Sequence, residues 1–174
     1  MSKIENMKTL FAIDCTISLN GNNLYFSKLR DIKNKYYNSS RGDKFYIWGD
    51  GYFCKNESEI DAFILVKCGF FKERHSYYIA EIGKETKSEN FEHLIIITDG
   101  SVDTHDIDES DRRVHEYGLR FKYVSNYIIG SKGDESVGCP YARDNPSAIY
   151  IIDNYGNECL LSGKVKDNNK DKKK

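Results

Sequence analysis

The residues best suited to chemistry in this chain are oxygen donors gathered where an apolar run stops. Leu10-Phe11-Ala12-Ile13 breaks off into Asp14-Cys15-Thr16-Ile17-Ser18, a carboxylate followed by two hydroxyls at two-residue intervals. A hydrophobic core has no use for Asp-x-Thr-x-Ser at the end of a buried strand. A hard cation does, because it takes oxygen ligands converging from a tight loop. A second acid stands in a similar place. Leu94-Ile95-Ile96-Ile97 runs into Thr98-Asp99-Gly100. If the two apolar runs are neighbouring strands, Asp14 and Asp99 share one crevice. Two carboxylates there repel, which disfavours ionising both, and a divalent cation removes that penalty. An all-oxygen donor set selects magnesium, manganese or calcium over zinc or copper.

The elements that must position these residues emerge from periodicity. An unbroken apolar run over 10–13 reads as a short buried strand. Asn20, Gly21, Asn22 and Asn23 make a turn, and an asparagine there caps the next element. Over 24–37 the spacing predicts a helix whose apolar stripe is Tyr25, Leu29, Ile32 and Tyr36, with Lys28, Arg30, Asp31, Lys33 and Lys35 mostly off it. The segment 38–43 breaks it. A strand over 44–48 comes next, closed by Gly49-Asp50-Gly51. A helix over 57–67 carries Ile60, Phe63 and Ile64 in phase, although 62–66 also reads as a strand, and Gly69 ends it. A short helix is expected over 76–84, with Ile79 and Ile82 inward. Then come the strand 93–98, a helix over 106–118, a strand over 121–129, a loop over 130–145 and a last strand over 148–152. Strands alternating with helices predict an α/β fold, a Rossmann-like doubly wound, mostly parallel sheet flanked by helices. Ligands in such folds gather at the carboxyl ends of the strands, where the strand order switches.

At 174 residues the chain is expected to form one domain over 1–160, with a disordered Lys-rich tail over 161–174. The net charge of −1 is uneven: residues 163–174 hold six Lys and two Asp, so the tail carries +4 and the remainder −5. An acidic body with a basic tail argues against a nucleic-acid-binding surface. No apolar run reaches the length of a membrane span, and the first nine residues lack a signal-peptide core, so a cytoplasmic protein is expected. The five cysteines (Cys15, Cys54, Cys68, Cys139, Cys159) are scattered without C-x-x-C spacing and read as free thiols.

With these residues in view, the chain resembles the von Willebrand factor A domain family over residues 8–153. That family's metal-ion-dependent adhesion site uses Asp-x-Ser-x-Ser after the first strand, a Thr in a second loop and an Asp in a third, often as Thr-Asp-Gly. Here Asp14, Thr16 and Ser18 match the first segment, with Thr16 replacing a Ser, and Thr98-Asp99-Gly100 matches the third. The second-loop Thr has no direct match. Ser76 fits its place and keeps a hydroxyl, and Thr86 is the alternative, too close to Asp99 to leave room for a helix between them. The resemblance implies a von Willebrand factor A-like protein-interaction module. Its metal ligands would be Asp14, Thr16, Ser18, Ser76 and Asp99, its cation Mg2+ (or Mn2+ or Ca2+), and its partner a protein that offers an acidic side chain to an open coordination position. Most members do no chemistry of their own. The loop Glu135 to Tyr141 would lie near the same face and shape partner specificity.

Other readings compete. A haloacid-dehalogenase-like phosphatase would use Asp14 as nucleophile and Thr98 to hold phosphate, but Thr16 stands where that family has its general acid. A degenerate scaffold would keep the fold and bind partners without metal. Asp50, Asp103, Asp106 and Asp108 are explained by turn chemistry and helix N-terminal charge. His75, His105 and His115 are too dispersed for a catalytic pair. The many aromatic residues, Tyr127 among them, are read as core in preference to an interface. Neither a Walker A loop nor a dinucleotide-binding glycine fingerprint is present.

Overall fold

The structure is a computed structural model. It describes residues 3–14, 19, 21–48, 52–54, 57–66, 82, 88–100, 108–109, 112, 116–117, 120–130 and 146–161. The strands are β1 (Thr9–Asp14), β2 (Lys44–Trp48), β3 (Tyr52–Cys54), β4 (His93–Thr98), β5 (Tyr123–Ile129), β6 (Ser147–Ile152) and β7 (Glu158–Leu161). Two helices are described over their length, α1 (Asn23–Tyr36) and α2 (Glu57–Val66). All seven strands form one sheet in the order β3-β2-β1-β4-β5-β6-β7. β2, β1, β4, β5 and β6 run parallel, and the edge strands β3 and β7 are antiparallel to their neighbours. The fold is α/β, with a mostly parallel mixed sheet in a Rossmann-like arrangement.

The central strands lack alternation because both faces of the sheet are covered. Every residue of β1 and of β4 is buried. Alternate residues divide between two cores. Phe11, Ile13, Ile95, Ile97, Tyr127 and Ile129 cluster with Phe26 and Leu29 of α1 and Ile60 and Phe63 of α2. Leu10, Ala12, Leu94, Ile96 and Val124 cluster on the other face with Ile82, Phe91 and Phe121, and Tyr117 packs against them. Ile82 and Tyr117 have helical backbone. Tyr127 is a core residue, 1% exposed.

α1 begins as its sequence requires. The Asn22 side chain accepts a hydrogen bond from the Tyr25 backbone N–H at 3.0 Å. Tyr25, Leu29 and Ile32 are buried, as the stripe predicts, and so is Phe26. Lys33 is the charge of this helix that lies on the buried side. It is 3% exposed. Its ammonium sits 2.6 Å from Glu57 Oε1 and 2.6 Å from Asp61 Oδ1, both on α2. Burial works against this charge, but the hydrogen bonds to Asp61 and Glu57 outweigh it and raise the Lys33 pKa. A buried ammonium paired to two carboxylates thus ties α1 to α2. The helical reading of the α2 segment holds, and its strand alternative does not.

Two strands depart from the expected pattern. The sequence reading assigns no strand to β3, and β6 is not the last strand: β7 returns beside it, Ile149 pairing with Leu161 and Ile152 with Glu158. The turn between them is built by Asp153, whose Oδ1 accepts from the N–H groups of Tyr155 and Asn157, both at 2.9 Å. Gly156 adopts φ +84° there, a conformation glycine takes without strain. The tail beyond 161 lies outside the described residues, as do the loop 131–145 and most of the segments expected as helices over 76–84 and 106–118. Among the described residues no helix is long and apolar enough to cross a membrane.

Candidate metal centre

β1 is the hinge of the topology. β2 pairs with it on one side and β4 on the other, both parallel. From β1 the strand order runs outward in both directions, and this is the switch point at which α/β sheets open a crevice. Asp14 is the last residue of β1, and Asp99 comes directly after the last residue of β4. The register pairs Ile13 with Ile97, which sets Asp14 level with Thr98 and Asp99 one residue beyond. The neighbouring strands that the sequence required for its two acids are therefore present.

The Asp14 carboxylate is 1% exposed and Thr98 is fully buried beside it. The Thr98 hydroxyl donates to Asp14 Oδ2 at 2.8 Å. The same oxygen, Thr98 Oγ1, accepts from the Gly100 backbone N–H at 3.1 Å. Gly100 has φ +85°, so Thr-Asp-Gly forms a turn that needs its glycine. Asp99, between them, is partly exposed. The phenol of Tyr25, fully buried on α1, lies 2.5 Å from the Asp14 carbonyl oxygen and 3.2 Å from the Ile97 carbonyl oxygen. One O–H thus reaches two carbonyls at the point where β1 and β4 part.

Asp14 and Asp99 are the sequence-predicted residues that the structure describes, and it brings their strand ends side by side. Thr16, Ser18, Ser76 and the alternative Thr86 lie outside the described residues, as do His75, His105, His115, Asp50 and the loop 135–141. Among the described residues no three His, Cys, Asp or Glu side chains form a metal-binding group. What the described edge offers is two carboxylates and a hydroxyl. That donor set is oxygen throughout and fits a hard cation.

Two roles escape a reading of the sequence. Thr98 enters it as the first residue of Thr-Asp-Gly and as a phosphate holder, not as a donor to Asp14, although its place level with Asp14 is fixed once β1 and β4 are paired. Tyr25 reads as core alone. Its apolar ring earns that reading, and no sequence signal marks where its hydroxyl ends up. The fourth histidine, His93, sits at the opposite end of β4, 1% exposed, with Nε2 2.8 Å from Ser125 Oγ. Neither the protein-family models nor the curated proteins yield a match to this chain.

Proposed function

We propose that this chain is a von Willebrand factor A-like domain that binds a protein partner through a divalent cation at the carboxyl edge of its sheet. One observation supports the reading above the rest. The parallel pairing of β1 with β4 brings Asp14 and Asp99, the two acids of the resembled motif, to one edge at the strand-order switch. Asp14, Thr16, Ser18, Ser76 and Asp99 would hold the cation, directly or through water. Bound there, a magnesium ion supplies a positive centre for a carboxylate of the partner. The chain's own part is to orient the ligands, which Thr98 and Tyr25 do for Asp14. The scattered cysteines accord with work in the cytoplasm.

The phosphatase reading asks Thr98 to hold a phosphate. It also lacks the general acid that family places two residues after its nucleophile, where this chain has Thr16. The readings separate in one set of assays on the intact chain. The module predicts magnesium binding with no turnover of a generic phosphoester, and partner binding that a chelator abolishes. Turnover lost in Asp14→Ala would replace the module with the phosphatase. Partner binding indifferent to chelator would replace it with the metal-independent scaffold.

A further inference from the structure

We infer that Asn126 of β5 holds a buried water, which bridges its carboxamide to the hydroxyl of Thr98 on β4. Even-numbered residues of β1, β4 and β5 build the core on the face away from α1 and α2, with Leu10, Ala12, Leu94, Ile96 and Val124 in it. Asp14, Thr98 and Asn126 continue the same alternation, so these three buried polar side chains share that face. Asn126 is 0% exposed, and among the described residues neither its Nδ2 nor its Oδ1 has a hydrogen-bond partner. A carboxamide left in that state loses the full hydration of its donor and its acceptor. Native interiors satisfy such groups with protein or with ordered water.

The surroundings decide the ligand. Asn126 is flanked in register by Ile96 of β4 and Ile149 of β6, and along its own strand by Val124 and Ile128. With apolar side chains on all four sides, a neutral ligand is favoured over an ion. Thr98 pairs with Ile128, two residues beyond Asn126, and is therefore its diagonal neighbour. One interstrand spacing and a two-residue rise put their Cα atoms about 8 Å apart. On the opposite face His93 and Ser125 form another diagonal pair of β4 and β5, and the long imidazole lets them meet directly at 2.8 Å. Threonine and asparagine are shorter, and one water spans the difference. Thr98 Oγ1 donates to Asp14 Oδ2 at 2.8 Å and accepts from the Gly100 N–H at 3.1 Å, which leaves it one lone pair among the described contacts. A carboxamide presents N–H and C=O side by side. A water there accepts from Nδ2, donates one hydrogen to Oδ1 and gives the other to Thr98 Oγ1. That makes about three bonds, the usual complement of a buried water. The hydrogen-bonded chain from Asp14 through Thr98 then reaches inward from the carboxyl edge to Asn126.

The test is made on the full chain with a chelator present, so its outcome is separate from that of cation binding. Magnetic relaxation dispersion of the water oxygen counts long-lived waters without interference from exchanging hydroxyl protons. Asn126→Leu should hold one such water fewer than wild type. In wild type the Asn126 Nδ2 hydrogens should show a nuclear Overhauser effect to a long-lived water, weakened or lost in Thr98→Val. A folded Asn126→Leu with an undiminished water count overturns the inference, as does an effect unchanged in Thr98→Val. If Asn126→Leu does not fold, wild type decides: no effect from a long-lived water to those hydrogens overturns the inference. Failure of the chain to bind magnesium would leave this water standing, and loss of the water would leave the cation reading standing.

Discussion

His93 shows how far this fold moves a single side chain. Buried at the start of β4 and packed edge-on against Tyr36 and Tyr123, it has its pKa lowered to about 4 by desolvation and, secondarily, by the charge of Arg41. The folded state thus holds this imidazole neutral, while the unfolded chain protonates it near 6.5. Its contribution to stability is complete above pH 6.5 and is lost as the pH falls from there towards 4. Between the two pKa values the slope is about 1.4 kcal/mol per pH unit, giving roughly 3 kcal/mol in all. Urea unfolding across that range should show the slope in wild type and a flatter profile in His93→Gln. Equal slopes would mean that His93 is not held neutral. At the candidate site, Tyr25→Phe should cost about 1–3 kcal/mol in urea unfolding, since two buried strand-end carbonyls lose that donor. A change within error would assign Tyr25 to packing alone. Residue roles of this kind are only partly legible in the sequence. Asp14 and Asp99 stand out because an acid ending an apolar run is anomalous. Thr98 and Tyr25 do not, because threonine ending a strand and tyrosine in an apolar stripe are ordinary.

Among the elements, α1 and α2 depend on a buried charge. Lys33 comes one helical turn after Leu29 and lies on the buried side, where its ammonium meets Glu57 and Asp61. Replacing a buried charge by an apolar chain of similar length is often tolerated, whereas stranding it is not. Lys33→Met should therefore fall within about 1 kcal/mol of wild type. Glu57→Gln with Asp61→Asn should cost more, about 1–3 kcal/mol, a range reduced because both carboxylates are half-exposed. Equal effects from the two changes would show that the ion pair does not secure the helix contact. The same scale explains which strands are legible. β1 and β4 are buried on both faces and announce themselves as apolar runs. β3 (Tyr52-Phe53-Cys54) and the mostly exposed β7 are apolar over only three residues each, too short a run to stand out as a strand. Short edge strands give too few residues for a period to show, so pattern alone passes over them.

At the scale of the molecule, the strand order gives the two acids their meaning. Had β1 and β4 been separated in the sheet, Asp14 and Asp99 would be two unrelated turn residues. Their adjacency at the switch makes one oxygen-rich edge on a body whose sequence carries −5 outside its basic tail. That net charge opposes an acidic partner, and a bound cation at the edge would offset it. The most direct test is calorimetry of magnesium binding to wild type and to the double variant Asp14→Ala with Asp99→Ala. The account predicts saturable binding by wild type, abolished in a double variant that still unfolds cooperatively. No binding by wild type, or binding undiminished in the double variant, would contradict it.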